Sequence, residues 1–392
     1  MRNLYNNFIK TDRQRELFDL VDSLGESIKE RALHADEKAD FPEETLRDLK
    51  EIGYPALPLP HSNGGKDLSL YELLLIQERL AVADGSVALS IGWHMGIIME
   101  LRDEGLWSDE DFDALAHEIQ KEQKVVNRAA SEPATGSPTR GGRPETTAKK
   151  NGNTYNVTGR KTFTSMASVL DYYIVSAYVE EKDQVGWFLI DSRLDGVSID
   201  YTWDTVGMRG TGSHDLVLNN VQLPEEKLVE MATKSKTPKG WLLHIPACYL
   251  GIAIAARNDA IDFAKSFQPN SLDTPISEVP HIRQKIGEMD LKLMNARHFM
   301  YSIADQWDRY PDDREQLGET LGAIKTVATN AANEIVDLAM RVAGGRGLSK
   351  NYLFEKYYRD VRAGLHNPPM DDAVIENLAK QAIQTAPKKK DE

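Results

Sequence analysis

The sequence predicts an α+β protein in three parts: an N-terminal helical domain over residues 1–123, a middle β domain over 124–232 and a C-terminal helical bundle over 233–392. Three observations predict it. Apolar residues recur at helical spacing from Leu17 to about Lys124. The texture then changes to short β-branched and aromatic runs as far as Pro224. After the polar stretch Thr233 to Lys239 the helical period returns and holds nearly to the end.

In the first part, Leu17, Leu20, Val21, Leu24 and Ile28 fall on one helix face, and Phe41-Pro42-Glu43-Glu44 opens a second run through Leu46, Leu49 and Ile52. Asn63-Gly64-Gly65 interrupts the period before Tyr71, Leu74, Leu75 and Leu80 resume it. In the middle part, Thr154–Thr158, Tyr172–Val179, Val185–Ile190 and the alternation at Leu216 and Leu218 mark strands. Asn151-Gly152 predicts a type I′ hairpin turn, whose two central residues both need positive φ. No helical stretch of useful length separates these strands, which argues against a parallel nucleotide-binding sheet. In the last part, Val327, Ala331, Ile335, Leu338 and Val342 form one long apolar stripe. It stops at Gly344-Gly345, where a left-handed cap is expected.

Composition narrows the function. Acidic residues outnumber basic ones 61 to 47, and the net charge of −14 repels a polyanion, so no nucleic-acid partner is expected. Met1 to Lys10 lacks the apolar core of a signal peptide. The most apolar stretch, Leu242 to Ala256, is shorter than a membrane span and is interrupted by His244 and Pro246. A cytoplasmic protein without membrane insertion is the expectation. Cys248 is the only cysteine and is expected to be a small buried apolar residue. The nine histidines include no pair at helical metal-ligand spacing, so no metal site is expected. Neither a GxxxxGK phosphate loop nor GxGxxG occurs; Gly207, Gly210 and Gly212 have the wrong spacing and lie among strands.

Four segments carry candidate chemistry. Ala130-Ser131-Glu132-Pro133-Ala134-Thr135-Gly136-Ser137 offers small residues and hydroxyls that a flat polar heterocycle could approach, the bland reading being a polar surface loop. Gly159-Arg160-Lys161-Thr162-Phe163-Thr164-Ser165 ends a predicted strand with an aromatic flanked by hydroxyls, able to stack on a ring while Thr164 bonds its edge. Gly207-Met208-Arg209-Gly210-Thr211-Gly212-Ser213 is a glycine-rich turn before the last long strand; a plain long hairpin would look the same. The fourth is Gly344-Gly345-Arg346-Gly347 with Arg359-Asp360 and the proline-locked loop Leu365-His366-Asn367-Pro368-Pro369.

Taken in order, these segments resemble the acyl-CoA dehydrogenase superfamily along nearly the whole chain. The family's Ser/Thr-Glu-Pro-x-x-Gly-Ser loop corresponds to Ser131–Ser137, its Lys-x-x-Ile-Thr-Asn strand to Lys161–Ser165 and its Gly-x-Arg-Gly turn to Gly207–Ser213. Its Gly-Gly-x-Gly followed by Arg-Asp corresponds to Gly344–Gly347 and Arg359-Asp360. The resemblance implies a homotetrameric flavoprotein, its FAD lying between the β domain and the C-terminal helices. It implies Ser131 and Thr164 at the edge of the isoalloxazine, and Phe163 where the family usually has a tryptophan against that ring. Arg341, Gly345 and Gly347 would meet the adenosine half of the flavin on a neighbouring subunit. Ser137, with Arg209 and Ser213 of the glycine turn, would face the substrate, Ser137 meeting the phosphorylated arm of a CoA thioester.

Two departures matter. The family's catalytic glutamate is expected nine residues after Arg359, where this chain has Pro368, and the alternative stretch Gly240-Trp241-Leu242-Leu243-His244 has no carboxylate either. His366 is the substitute base, since neutral imidazole accepts a proton near neutral pH. Leu365-His366-Asn367-Pro368 also resembles a loop of the flavin monooxygenases that share this scaffold, with His94 as a second active-site histidine of that branch; one gap is needed to align His366. Asp371 and Asp372 are read as helix-capping acids. The second departure is Ser266-Phe267-Gln268-Pro269, where many family members carry an arginine for the flavin diphosphate. Its loss brings in FMN, or a flavin reduced elsewhere, as alternatives to FAD. Three readings follow: an FAD-dependent acyl thioester dehydrogenase with an electron-transfer partner, a monooxygenase fed by a flavin reductase, and a non-catalytic flavin or thioester scaffold.

Overall fold

Helix ends in the first third follow the local chemistry of the chain. The structure is a computed structural model and describes residues 2–134, 142–232 and 238–386. It forms two compact units, Met1–Ser235 and Lys236–Glu392. In the first, α1 (Arg2–Tyr5) precedes α2 (Asp12–Asp22), which starts at Thr11, whose side chain accepts from the Gln14 amide; α3 (Gly25–Lys38) follows. α4 (Glu43–Glu51) begins after Pro42, and α5 (Leu70–Ala83) opens with a capping box between Ser69 and Glu72. Asp84 caps α6 (Gly85–Glu104) and Ser108 caps α7 (Asp109–Glu122). Leu17, Val21 and Ile28 are buried as their spacing requires, but α2 and α3 share the stripe across a break at Ser23-Leu24. The interruption at Asn63-Gly64-Gly65 is steric: Gly64 takes φ 80°, and a Cβ on Gly65 would lie 2.1 Å from the Leu59 carbonyl oxygen.

The strands are β1 (Val126–Ala129), β2 (Thr147–Asn151), β3 (Thr154–Lys161), β4 (Tyr172–Val179), β5 (Gln184–Asp191), β6 (Val197–Asp200), β7 (Asp215–Pro224) and β8 (Leu228–Met231). They form one sheet in the order β6-β7-β3-β2-β4-β5-β8. β1 and β2 share one edge of β4, β1 beside Tyr172–Val175 and β2 beside Tyr178–Val179. Both of these pairings are parallel and the others antiparallel, so the sheet is mixed. The hairpin at Asn151-Gly152 forms one residue later than expected. Asn151 pairs with Thr154, the central residues are Gly152 and Asn153, and of these only Gly152 takes positive φ, so the turn is not type I′.

A buried ion pair ties this sheet together. Lys161 ends β3 and Glu132 lies in the segment leaving β1; their side chains are 0% and 1% exposed, with Nζ and Oε1 2.6 Å apart. Lys161 also donates to Ser176 Oγ on β4 at 3.1 Å, while the Glu132 carboxylate accepts the Glu145 and Thr146 amides at 2.6 and 3.1 Å. Burial alone would push the Glu132 carboxyl up; the Lys161 ammonium and the donors at Thr146 and Glu145 outweigh it and hold the group below the usual carboxylate range.

His94 on α6 is a second internal tie. The ring is fully buried, Nδ1 accepts the Val126 amide of β1 at 3.1 Å, and Nε2 lies 3.0 Å from the Pro55 carbonyl oxygen, to which it donates. Both nitrogens are thus engaged within the first unit. Burial pushes its pKa down to about 4 against the two hydrogen bonds, which keeps the ring neutral.

The second unit contains α8 (His244–Ser266), α9 (Pro280–Arg309), α10 (Gly318–Ala343), α11 (Phe354–Ala363) and α12 (Asp371–Thr385). Cys248 on α8 is buried, as expected. Pro246 falls in the first turn of α8, where it does not break the helix, so the apolar stretch extends further than its sequence suggests. Gly240–Ser266 is long and apolar enough to cross a membrane, but 89% of its apolar window is buried inside the protein. The core face of α10 runs through Ile324, Ala328, Ala332, Ile335, Ala339 and Val342, about one position away from the predicted stripe, which leaves Val327 exposed. Gly344 ends α10 with positive φ, but at ψ −143° rather than in the left-handed helical region, and the chain continues as a 3-10 turn to Leu348. Asp371 does not cap α12, whose cap position is Met370. Its carboxylate instead accepts from Lys325, Thr326 and Asn330 of α10, at 3.2, 3.2 and 2.7 Å, and so docks the helix.

Removing one partner of the buried pair strands the other charge, so Lys161→Met should lower unfolding free energy by about 3–5 kcal/mol in urea titration. Replacing both, as Lys161→Met with Glu132→Gln, should recover much of that loss. For His94, the folded pKa of about 4 lies below the ordinary histidine value. Its contribution is therefore complete above about pH 6.5 and fades as pH falls toward about 4, a loss of about 3 kcal/mol. Urea midpoints compared at these two pH values should shift less in His94→Gln than in the wild type.

Candidate active site

The three candidate segments of the first unit converge on one place. The Ser131 carbonyl oxygen accepts the Thr162 amide at 2.9 Å, which joins the segment after β1 to the end of β3. The Thr164 amide donates to the His214 carbonyl oxygen at 3.2 Å, and the Met166 amide to Thr211 at 2.9 Å, which joins β3 to the glycine-rich turn. Ser165 Oγ and Ser213 Oγ lie 3.0 Å apart, and Ser213 reaches Thr211 Oγ1 at 2.8 Å, closing a buried hydroxyl network. Asn127 of β1 donates to the Ser165 carbonyl oxygen at 3.1 Å.

Within this junction Phe163 and Thr164 are displayed differently. Phe163 takes φ 55°, uncommon for an aromatic, and is 68% exposed. Thr164 is buried, and its hydroxyl has no hydrogen-bond partner among the described residues. An aromatic face and an unmet hydroxyl therefore stand side by side at the strand end.

Two residues that sequence reasoning missed hold this arrangement. Trp203 packs edge-on against Phe163 with ring centroids 5.8 Å apart, and its Nε1–H donates to the Met208 carbonyl oxygen at 3.2 Å. His214 accepts the Trp203 amide at Nδ1, 3.1 Å away, while its own carbonyl holds Thr164. Its Nε2 faces Asp40 Oδ1 at 3.6 Å, and burial pushes its pKa down against the pull of Asp40. The sequence signal was slight: a lone histidine one residue beyond the glycine motif.

The remaining candidates are placed as follows. Arg209 is drawn away from the junction, with Nε on the Asp36 carbonyl oxygen at 2.8 Å and Nη1 shared at 2.9 Å between Asp204 and the Thr205 carbonyl oxygen; it anchors the turn to the end of α3. Ser213 is buried in the hydroxyl network rather than displayed. Ser137 lies outside the described residues. In the second unit, Arg341 is paired with Asp337 at 2.7 Å. His366 is exposed on the 3-10 turn Gly364–His366, with Asn367 beside it accepting from the Tyr249 hydroxyl at 2.6 Å.

Comparison with known proteins agrees with this layout. Residues 11–105 match the N-terminal domain of acyl-CoA dehydrogenases, 127–221 the middle domain and 243–365 the C-terminal domain. A putative acyl-CoA dehydrogenase of Bacillus subtilis (strain 168), YdbM, is 50% identical over 380 residues, covering 96% of this chain and 99% of that protein. Butyryl-CoA dehydrogenase from Megasphaera elsdenii has a similar structure, with TM-score 0.83 at 21% identity over 95% of this chain and 99% of that one. So does TdsC from Paenibacillus sp. A11-2, a dibenzothiophene monooxygenase solved with FMN and indole, with TM-score 0.85 at 22% identity over 95% of this chain and 98% of that one. The two structural likenesses establish the fold, and the sequence matches establish the lineage. The chain belongs to the acyl-CoA dehydrogenase family of flavin-dependent oxidoreductases.

Proposed function

We propose that the protein oxidises an acyl thioester between its α and β carbons. The observation that carries this reading is the Thr164 hydroxyl, buried and unmet beside the exposed Phe163 ring. Leaving a buried polar group unsatisfied costs about 1–3 kcal/mol, so a planar partner with nitrogen or oxygen at its edge fits the position. A flavin held there would supply the acceptor for the hydride leaving the β carbon. Ser131 and Thr164 hydrogen-bond its polar edge and Phe163 packs against the ring. Arg341, Gly345 and Gly347 serve the adenosine half, FAD being the proposed form and FMN the alternative. Ser137 is assigned to the phosphorylated arm of a CoA thioester. An electron-transfer protein reoxidises the enzyme, and a homotetramer is the proposed assembly.

His366 is the proposed base. Pro368 has no side-chain atom that can take the α-proton, whereas His366 is exposed and its ring makes no hydrogen bond among the described residues. The loop containing it also favours a second reading, a monooxygenase supplied by a flavin reductase. Two observations support that alternative: a proline in the carboxylate's place and a histidine with Asn367 pinned beside it by Tyr249.

Anaerobic mixing of the flavin-loaded protein with acyl-CoA thioesters of graded chain length should bleach the visible flavin band. His366→Gln should slow that bleaching by about 100-fold or more, and Pro368→Glu should accelerate it. If no thioester bleaches the flavin, while reduced flavin and oxygen yield an oxygenated product, the second reading replaces the first.

A further inference from the structure

His214 sits one residue before β7 and reaches both groups displayed at the strand end. Its carbonyl oxygen holds the Thr164 amide, and its Nδ1 holds the Trp203 amide, so that Trp203 stands edge-on to Phe163. Nδ1 can accept that amide only while it carries no proton, because an imidazolium donates from both nitrogens and accepts at neither. The neutral ring therefore carries its one proton on Nε2, toward Asp40 Oδ1 at 3.6 Å.

Two partners thus require different states of one ring. Trp203 needs it neutral, and Asp40 favours it charged. Gly212 lets Asp40 come close, since a Cβ there would lie 2.6 Å from Asp40 Oδ1. That oxygen also accepts the Phe41 amide and the Ser168 hydroxyl, each at 2.8 Å. Of the other groups facing the ring, Asp215 adds to the pull of Asp40 but is engaged by Arg160 at 2.7 Å, and the Tyr201 ring packs on the imidazole with centroids 4.7 Å apart. Burial favours the neutral form and prevails over both carboxylates, which holds the pKa below the ordinary histidine value. His94 has no such competition: its Nδ1 also accepts an amide, but its Nε2 faces a carbonyl oxygen.

We propose that His214 is the positioning residue of this junction and that a proton switches it: the neutral ring holds Trp203 against Phe163, and the charged ring is drawn to Asp40 and releases Trp203. The consequence for the flavin rests on the reading above and adds its regulation. A Phe163 ring no longer braced by Trp203 grips the isoalloxazine less tightly in acid.

Two titrations of the full-length protein from about pH 8 to about pH 5 test it. Without flavin, the Trp203 signal, taken as wild-type fluorescence minus that of Trp203→Phe, should follow a one-proton curve centred below the ordinary histidine value of about 6.5. With flavin, FAD affinity should fall over the same interval, by no more than about tenfold per pH unit for one proton. His214→Asn can place an amide oxygen where Nδ1 stands and gains no charge. It should abolish the fluorescence step and keep FAD affinity within about twofold of its value at the alkaline end. His214→Leu, which has no acceptor, should bind FAD about tenfold more weakly than His214→Asn there. A Trp203 signal that does not change with pH, or that changes equally in His214→Asn, overturns the switch and leaves the flavin reading standing. A fluorescence step with pH-invariant FAD affinity overturns the regulation. A step in a protein that binds no FAD at any pH overturns the flavin reading and leaves the hold of His214 on Trp203 standing.

Discussion

The first unit depends on two opposite charges that have no access to water. Lys161 and Glu132 come from segments far apart in the chain, and each would be costly to bury alone. Together, with Ser176 and the amides of Glu145 and Thr146, they fasten the end of β3 to the segment leaving β1 and to β4. The residues on either side inherit their positions from that anchor. Ser131 precedes Glu132, and Thr162, Phe163 and Thr164 follow Lys161, so the candidate site is built within three residues of the pair on both segments.

From this anchor outward most of the polar groups are satisfied, and the Thr164 hydroxyl is one that is not. Ser165, Ser213 and Thr211 satisfy one another, Asn127 takes the Ser165 carbonyl, and His214 holds both Thr164 and Trp203. The Thr164 hydroxyl remains without a partner among the described residues. Most buried polar groups in folded proteins are hydrogen-bonded, and this exception beside an exposed aromatic is the observation on which the proposed function rests. His94 makes the opposite case. It is a histidine in the same unit with both ring nitrogens engaged.

Much of the fold was legible because its signals are local. Tyr172–Val179 was recognised as a strand at its actual limits, since a continuous run of β-branched and aromatic residues has no other comfortable conformation. The four short strands, β1, β2, β6 and β8, carry too few apolar positions for a period to show. The core face of α10 was displaced by about one position because alanines and a glycine fill much of it, and small residues weigh little in an apolar stripe. What the sequence could not show was partnership. Nothing in the neighbours of His94, Arg209 or Asp371 reveals that distant backbone carbonyls, amides and an ammonium group claim them, because such contacts exist only after the chain has folded. The glycine motifs were found, but which of their glycines answer to contacts within the chain became clear only from the space around each Cβ.

The central claim is that the buried pair builds the proposed flavin site rather than merely stabilising the sheet. Flavin titration of Glu132→Gln, at a temperature where circular dichroism shows it folded, tests that claim most directly. The account predicts FAD affinity at least about tenfold below that of the wild type, because Ser131 and Thr164 lose their fixed spacing although neither is altered. A folded Glu132→Gln protein that binds FAD as tightly as the wild type would contradict it.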